Sequence, residues 1–202
     1  MEWTVEFLDD RVEAEFAALP VDFQASILRV ADLIRKYGLE HVGMPYVRHV
    51  QGKIWEMRGR GHDGIARSLY VTAKGRRVII LRSFVKKTQR TPGDEVLIAR
   101  KGKGGTIMGR NAFDYHNEKM RGNAEYKAAY DALEPEFSIA DALIRARVEA
   151  GFTQAEVAAR LGVTQPAVAR MESGRNISLK SVARYAGAIG RPITLEIMPK
   201  PL

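Results

Sequence analysis

The chain has 202 residues, 46% of them hydrophobic and 28% charged, which gives room for one large domain or two small ones and argues against wholesale disorder. Its 32 Lys and Arg against 24 Asp and Glu leave a formal charge of +8, weighted to the N-terminal half, which favours polyanionic partners without requiring them. The absence of cysteine, an aliphatic run no longer than residues 78–81 and an acidic stretch after Met1 exclude disulfides, membrane spans and a secretory leader, so a cytoplasmic location is expected.

Alternation over residues 3–7 predicts a short strand, followed by a helix from about Asp9. A longer helix opens after Pro20, with Phe23, Ile27, Val30, Ile34 and Tyr37 on one face and Gly38 at its end. Residues 46–50, 53–58, 65–73 and 77–86 then read as four strands separated by short turn signals, an antiparallel meander. The 78–81 run suits a central strand buried on both faces. A short helix is expected after Thr91-Pro92. Residues 1–101 thus read as an α+β domain, an antiparallel sheet with helices on one face.

The run Lys101-Gly-Lys-Gly-Gly105 cannot hold a helix, and residues 102–122 are expected to be a linker. Residues 123–202 read as all-α. Ser138 with Asp141, Thr153 with Glu156, and Ser178 mark helix starts, while Gly151, Gly162, Gly174 and Gly190 mark stops. Ile139, Leu143, Val157, Leu161, Val168, Met171, Leu179, Val182 and Ile189 would fill a small core. A last strand at 192–198 needs a partner, and its copy in a second subunit is the cheapest, which implies a homodimer through this domain.

Residues 153–174 place two short helices around Leu161-Gly162-Val163, a spacing that lets one helix brace on the DNA backbone while the next enters the major groove. Over residues 138–190 the sequence resembles the Xre/Cro-repressor class of helix-turn-helix proteins, including the Arg170-Met-Glu-Ser-Gly174 close. The resemblance implies that Gln154 donates to a phosphate, that Gln165 and Ala167 face base edges, and that Arg170 reaches a guanine or a phosphate. Thr164 and Arg175 complete the DNA-binding candidates. Pro166 departs from the small polar residue common there. The same four-helix module could also serve protein contacts alone.

In the N-terminal half, residues 59–64 spell G-x-G-x-x-G, but a strand follows instead of a helix, so a hairpin is the better reading. His41, His49, His62 and His116 lack metal-ligand spacing, and neither metal nor cofactor is expected. What remains is cationic: Arg58, Arg67, Lys86 and Lys87 fall on or after strands that an antiparallel meander could bring together. Such a cluster suits negative charge accumulating on phosphate oxygens, or it is merely a set of soluble strand ends. Arg67 shares its face with Ile65, Leu69 and Val71, which leaves its direction open.

The segments Ile54-Trp-Glu-Met-Arg58, Ala66-Arg-Ser-Leu-Tyr70 and Phe84-Val-Lys-Lys-Thr-Gln89 resemble the phage-derived branch of the RelE/HigB toxin superfamily, over about residues 3–101. That resemblance implies a metal-independent, ribosome-dependent endoribonuclease in which a ribose 2′-hydroxyl attacks the adjacent phosphate of an mRNA. Arg58 and Arg67 would hold that phosphate, and Lys86 and Lys87 would share phosphate binding and proton transfer. Lys53, Arg60, His62 and Thr88 stand beside them as RNA-binding candidates. The superfamily often uses a tyrosine or histidine late in the domain. None lies between Phe84 and Arg100, so that role is vacant or falls to His62 or Tyr70.

Because the second half, with its lead-in at 126–137, resembles the HigA-like antitoxin that accompanies such toxins, the chain reads as a fused toxin–antitoxin pair. Its implied partners are mRNA on the ribosome, operator DNA, and a toxin–antitoxin contact within the chain or across subunits. Two alternatives stay open: a transcriptional regulator with a catalytically dead N-terminal domain, and a nuclease that its helical half only targets.

Overall fold

The computed structural model describes residues 2–86 and 109–196. The helix expected after Pro92, the residues Lys87 and Thr88, the glycine run and the end of the last expected strand lie outside the described residues.

Strand β1 (Thr4–Phe7) leads into helix α1 (Asp10–Ala17), which Asp9 caps by accepting from the Val12 N–H. Helix α2 (Val21–Tyr37) buries Phe23, Ile27, Val30 and Ile34, the face that the sequence periodicity marks. It ends at Gly38, whose φ of 82° only glycine adopts freely and whose N–H donates to the Ile34 carbonyl.

Strands β2 (Val47–Gln51), β3 (Ile54–Gly61), β4 (Gly64–Ala73) and β5 (Arg77–Lys86) form the expected antiparallel meander. The sheet order is β1-β5-β4-β3-β2, and β1 pairs with β5 in parallel. The sheet is therefore mixed, a correction to the antiparallel expectation. Local turns dictate the hairpins, whereas strand alternation carries no information on the direction of a partner 70 residues away. Between β1 and β4, residues 78–81 are buried, as their apolar run requires. The chain returns to β1 at residues 109–111, where Phe7 N–H donates to the Arg110 carbonyl and Gly109 N–H to that of Leu8.

Cross-strand partners share a face. Gly59 and Gly61 face α2, since a Cβ on Gly59 would stand 2.5 Å from Ile27 Cγ1. Phe7 meets Phe16 of α1 at 5.3 Å between ring centroids and Tyr115 at 5.9 Å. The helices thus share one face, and alternation sends Glu56, Arg58 and Arg67 to the other.

The C-terminal half comprises helices α3 (Ala112–Gly122), α4 (Ala124–Ala132), α5 (Glu134–Glu149), α6 (Gln154–Leu161), α7 (Gln165–Met171) and α8 (Leu179–Ala188). Helix α3 falls within the segment 102–122 that the glycine run marks as a linker. Ser138 does not start a helix. It lies inside α5, where Pro135 occupies the first turn and Ser138 Oγ donates to Glu134. Leu143, Val157, Val168, Tyr185 and Ile189 form a small core, but Ile139 and Leu179 point outward, 36% and 66% exposed. Residues 192–196 form no strand in the single chain, which leaves that expectation without a partner strand to pair. Phe137, Ala140 and Ile144 of α5 belong to the main core with the sheet and α2, so one apolar core runs through both halves.

Candidate nucleic-acid interface

Register brings the predicted arginines together: Arg58 on β3 and Arg67 on β4 are direct Cα partners. Between them sits Glu56, two residues before Arg58 and fully buried. Its Oε1 accepts from Arg58 at 2.6 Å and its Oε2 from Arg67 at 2.5 Å. Arg67 is itself buried, and its pKa falls below the ordinary arginine value because burial penalises its charge and Arg58 and Arg48 repel it, against the attraction of Glu56. Phe84 pairs across from Arg67, and Lys86 across from Ile65. The sequence reading missed Glu56. Its i−2 spacing from Arg58 was the available signal, since strand alternation puts both on one face.

Other candidates scatter. Arg60 is exposed and continues the Arg58 row. Lys53 precedes β3 at its opposite end, seven residues and roughly 23 Å of extended chain from Arg60. His62 sits in the exposed β3–β4 turn, where its Nδ1 meets Asp63 at 2.8 Å, which raises its pKa. Tyr70 is buried on the face opposite Arg67, and burial pushes its pKa far above the tyrosine range. The geometry therefore gives neither His62 nor Tyr70 a place beside the arginine pair.

The second half builds its motif as the sequence reads. Thr153 and Glu156 make a reciprocal capping box at α6, and Gly162 ends that helix in the left-handed conformation with φ 65°. Thr164 occupies the N-cap position of α7 without a side-chain capping bond. Gln165 and Arg170 are exposed and Ala167 half-exposed, while Arg175 pairs with Glu136 at 2.5 Å.

Gln154 behaves differently. It is 7% exposed, and its Nε2 donates to the Met44 carbonyl at 3.0 Å and to Glu172 Oε2 at 2.8 Å. Glu172 is the centre of a buried cluster, accepting also from Arg147 at 2.6 Å and from the Tyr185 hydroxyl at 2.5 Å. Burial opposes the Arg147 charge, but Glu172 and Tyr185 outweigh it and leave the pKa raised. Arg147 also donates to the His41 carbonyl at 2.8 Å.

Besides the shared core, residues 41–46 bind the helix-turn-helix region directly. Tyr46 packs its ring against Phe137 with centroids 5.5 Å apart, donates its hydroxyl to the Ser173 carbonyl at 3.1 Å, and accepts through its own carbonyl from the Arg58 N–H. Beside it opens a cleft of about 860 Å³. Arg58 and Arg60 line one wall, and Gln165, Ala167, Arg170 and Arg175 line the other. Two of the toxin half's candidates thus share a cleft with four of the helix-turn-helix candidates.

Residues 14–103 match the family of phage-derived Gp49-like proteins, and residues 143–195 match a helix-turn-helix family. The chain joins a Gp49-like, RelE/HigB-like toxin domain to an Xre-type helix-turn-helix domain. This Gp49-like–Xre pairing is consistent with a fused toxin–antitoxin pair. No curated relative matches the chain. Among the described residues no helix is long and apolar enough to cross a membrane.

Proposed function

We propose that residues 1–101 are a ribosome-dependent mRNA endoribonuclease restrained by residues 123–202, which repress their own operator as a homodimer. One observation supports this most: the recognition helix lines the same cleft as Arg58 and Arg60, so the helix-turn-helix half stands across from part of the arginine row. In this reading the ribose 2′-oxygen bonds to phosphorus as the bond to the 5′-oxygen breaks, and that oxygen leaves with a proton. Arg58 and Arg67 stabilise the charge that builds on the phosphoryl oxygens. Glu56 holds both guanidinium groups in place. Lys86 and Lys87 share phosphate binding and proton transfer; a lysine near its free pKa of about 10.4 is a poor base, and neighbouring cations favour the neutral amine. Gln165, Ala167 and Arg170 read the operator, and paired 192–198 strands join the subunits.

The chemistry is tested with residues 1–122, a truncation that keeps α3 and the 109–111 pairing on β1, added to translating ribosomes. Cut mRNA carrying 2′,3′-cyclic phosphate ends, formed also with a chelator present, is the expected product. An intact message with folded 1–122 would support the second reading, a transcriptional regulator with a catalytically dead N-terminal domain. That reading draws on the burial of Arg67 and on the placing of His62 and Tyr70, the two candidates for the proton-transfer role, away from it.

A further inference from the structure

A helix-turn-helix presents to DNA the N-terminal ends of its two helices, the first braced on the backbone and the second set in the major groove. In this chain the first of those ends is occupied, and the second opens onto clefts walled by the toxin half. Residues 43–44 of the toxin half lie against the first: Gln154, the first residue of α6, holds the Met44 carbonyl, and a Cβ on Gly43 would stand 3.1 Å from Gln154 Oε1. Gln165, the first residue of α7, lines both the cleft that holds Arg58 and a second cleft of about 460 Å³ walled by Glu40, His41 and Gly43. Tyr46 pins the same loop to the carbonyl of Ser173, just past the end of α7.

We infer that duplex DNA and the toxin loop 40–46 compete for one surface of the helix-turn-helix domain, so that a chain bound to DNA is a chain whose toxin face is uncovered. This rests on the DNA-binding role proposed above and assigns its regulation. The closed chain cannot seat a duplex on α6 and α7, and its measured affinity is the intrinsic affinity reduced by the fraction of open molecules. The coupling is reciprocal: whatever opens the cleft strengthens DNA binding, and DNA opens the cleft by the same factor.

Two substitutions in the toxin half loosen the loop without changing a residue of the helix-turn-helix. Tyr46→Phe removes the hydrogen bond to Ser173 and keeps the ring on Phe137. Gly43→Leu drives a side chain against Gln154. The probe is a fluorescein-labelled duplex selected from a randomised pool by the Gly43→Leu chain, titrated with each full-length chain at one salt concentration. Tyr46→Phe is expected to bind about two- to ten-fold tighter than the unaltered chain, the size of one hydrogen bond, with Gly43→Leu at least as tight. Equal or weaker binding by both variants, with thermal melts showing them folded, overturns the competition and leaves the DNA-binding role standing. Failure of every chain to select or bind a duplex overturns both.

Discussion

Each half of the molecule buries a carboxylate, and the two are used differently. Glu172 accepts from one guanidinium, Arg147, and from the neutral groups of Tyr185 and Gln154, so its cluster is balanced and ties three helices to the 38–46 loop. Glu56 holds two guanidinium groups, Arg58 and Arg67, which are direct neighbours across β3 and β4. A balanced buried pair is what a fold tolerates when its remaining hydrogen bonds are satisfied. A carboxylate that keeps two like charges side by side works against their repulsion, an arrangement suited to meeting a phosphate. The first cluster joins helices; the second holds two arginines side by side on the face opposite the toxin helices.

The comparison breaks most visibly at Arg147. Arg147→Met leaves Glu172 buried without its guanidinium, and about 3–5 kcal/mol of stability should be lost. That corresponds to a fall of roughly 10 °C in Tm for a chain of this size, with part of it regained when Glu172→Met is added. A melt unchanged by Arg147→Met would remove the structural role claimed for the cluster. Gly59→Ala tests the packing behind the arginine face. The new Cβ meets Ile27 at 2.5 Å, so α2 must move off β3, at a cost of about 1–3 kcal/mol read from denaturant midpoints.

A smaller effect follows from His116, whose Nδ1 lies 2.8 Å from the Tyr126 hydroxyl. Burial first, then Arg29 and Arg35, lowers its pKa against the attraction of Asp32. The unfolded chain therefore binds the proton more readily than the folded one, and stability should fall as pH drops below about 6.5. Melts at pH 7.5 and 5 should show this loss, and His116→Asn should shrink it; an equal loss in the variant would assign it elsewhere.

Much of this was legible in the sequence because it is periodic and local. The α2 stripe, the four-strand meander and the capping box at Thr153 follow from spacing alone, whereas the meander allowed Arg58 and Arg67 to converge and only the register settles that they do. The parallel pairing of β1 was hidden because it depends on a long-range partner. Ser138 misled because a serine inside a helix and a serine at its cap look alike until Pro135 is given its due as a first-turn residue. Ile139 and Leu179 fit an apolar pattern yet face outward, since periodicity gives a face without saying what covers it. Gln154 is the instructive case. Its place in the motif points to a phosphate, and only the fold reveals that residues 40–46 of the same chain stand there.

In the function proposed above, the helix-turn-helix half silences the toxin half. That silencing is tested most directly by expressing residues 1–122, the full chain, and 1–122 carrying Arg58→Ala, and mapping mRNA ends in growing cells. In-frame cuts and arrested growth are expected with 1–122, neither with the full chain, and both should be lost in the Arg58→Ala variant. Equal cutting by the full chain and by 1–122 would contradict the silencing.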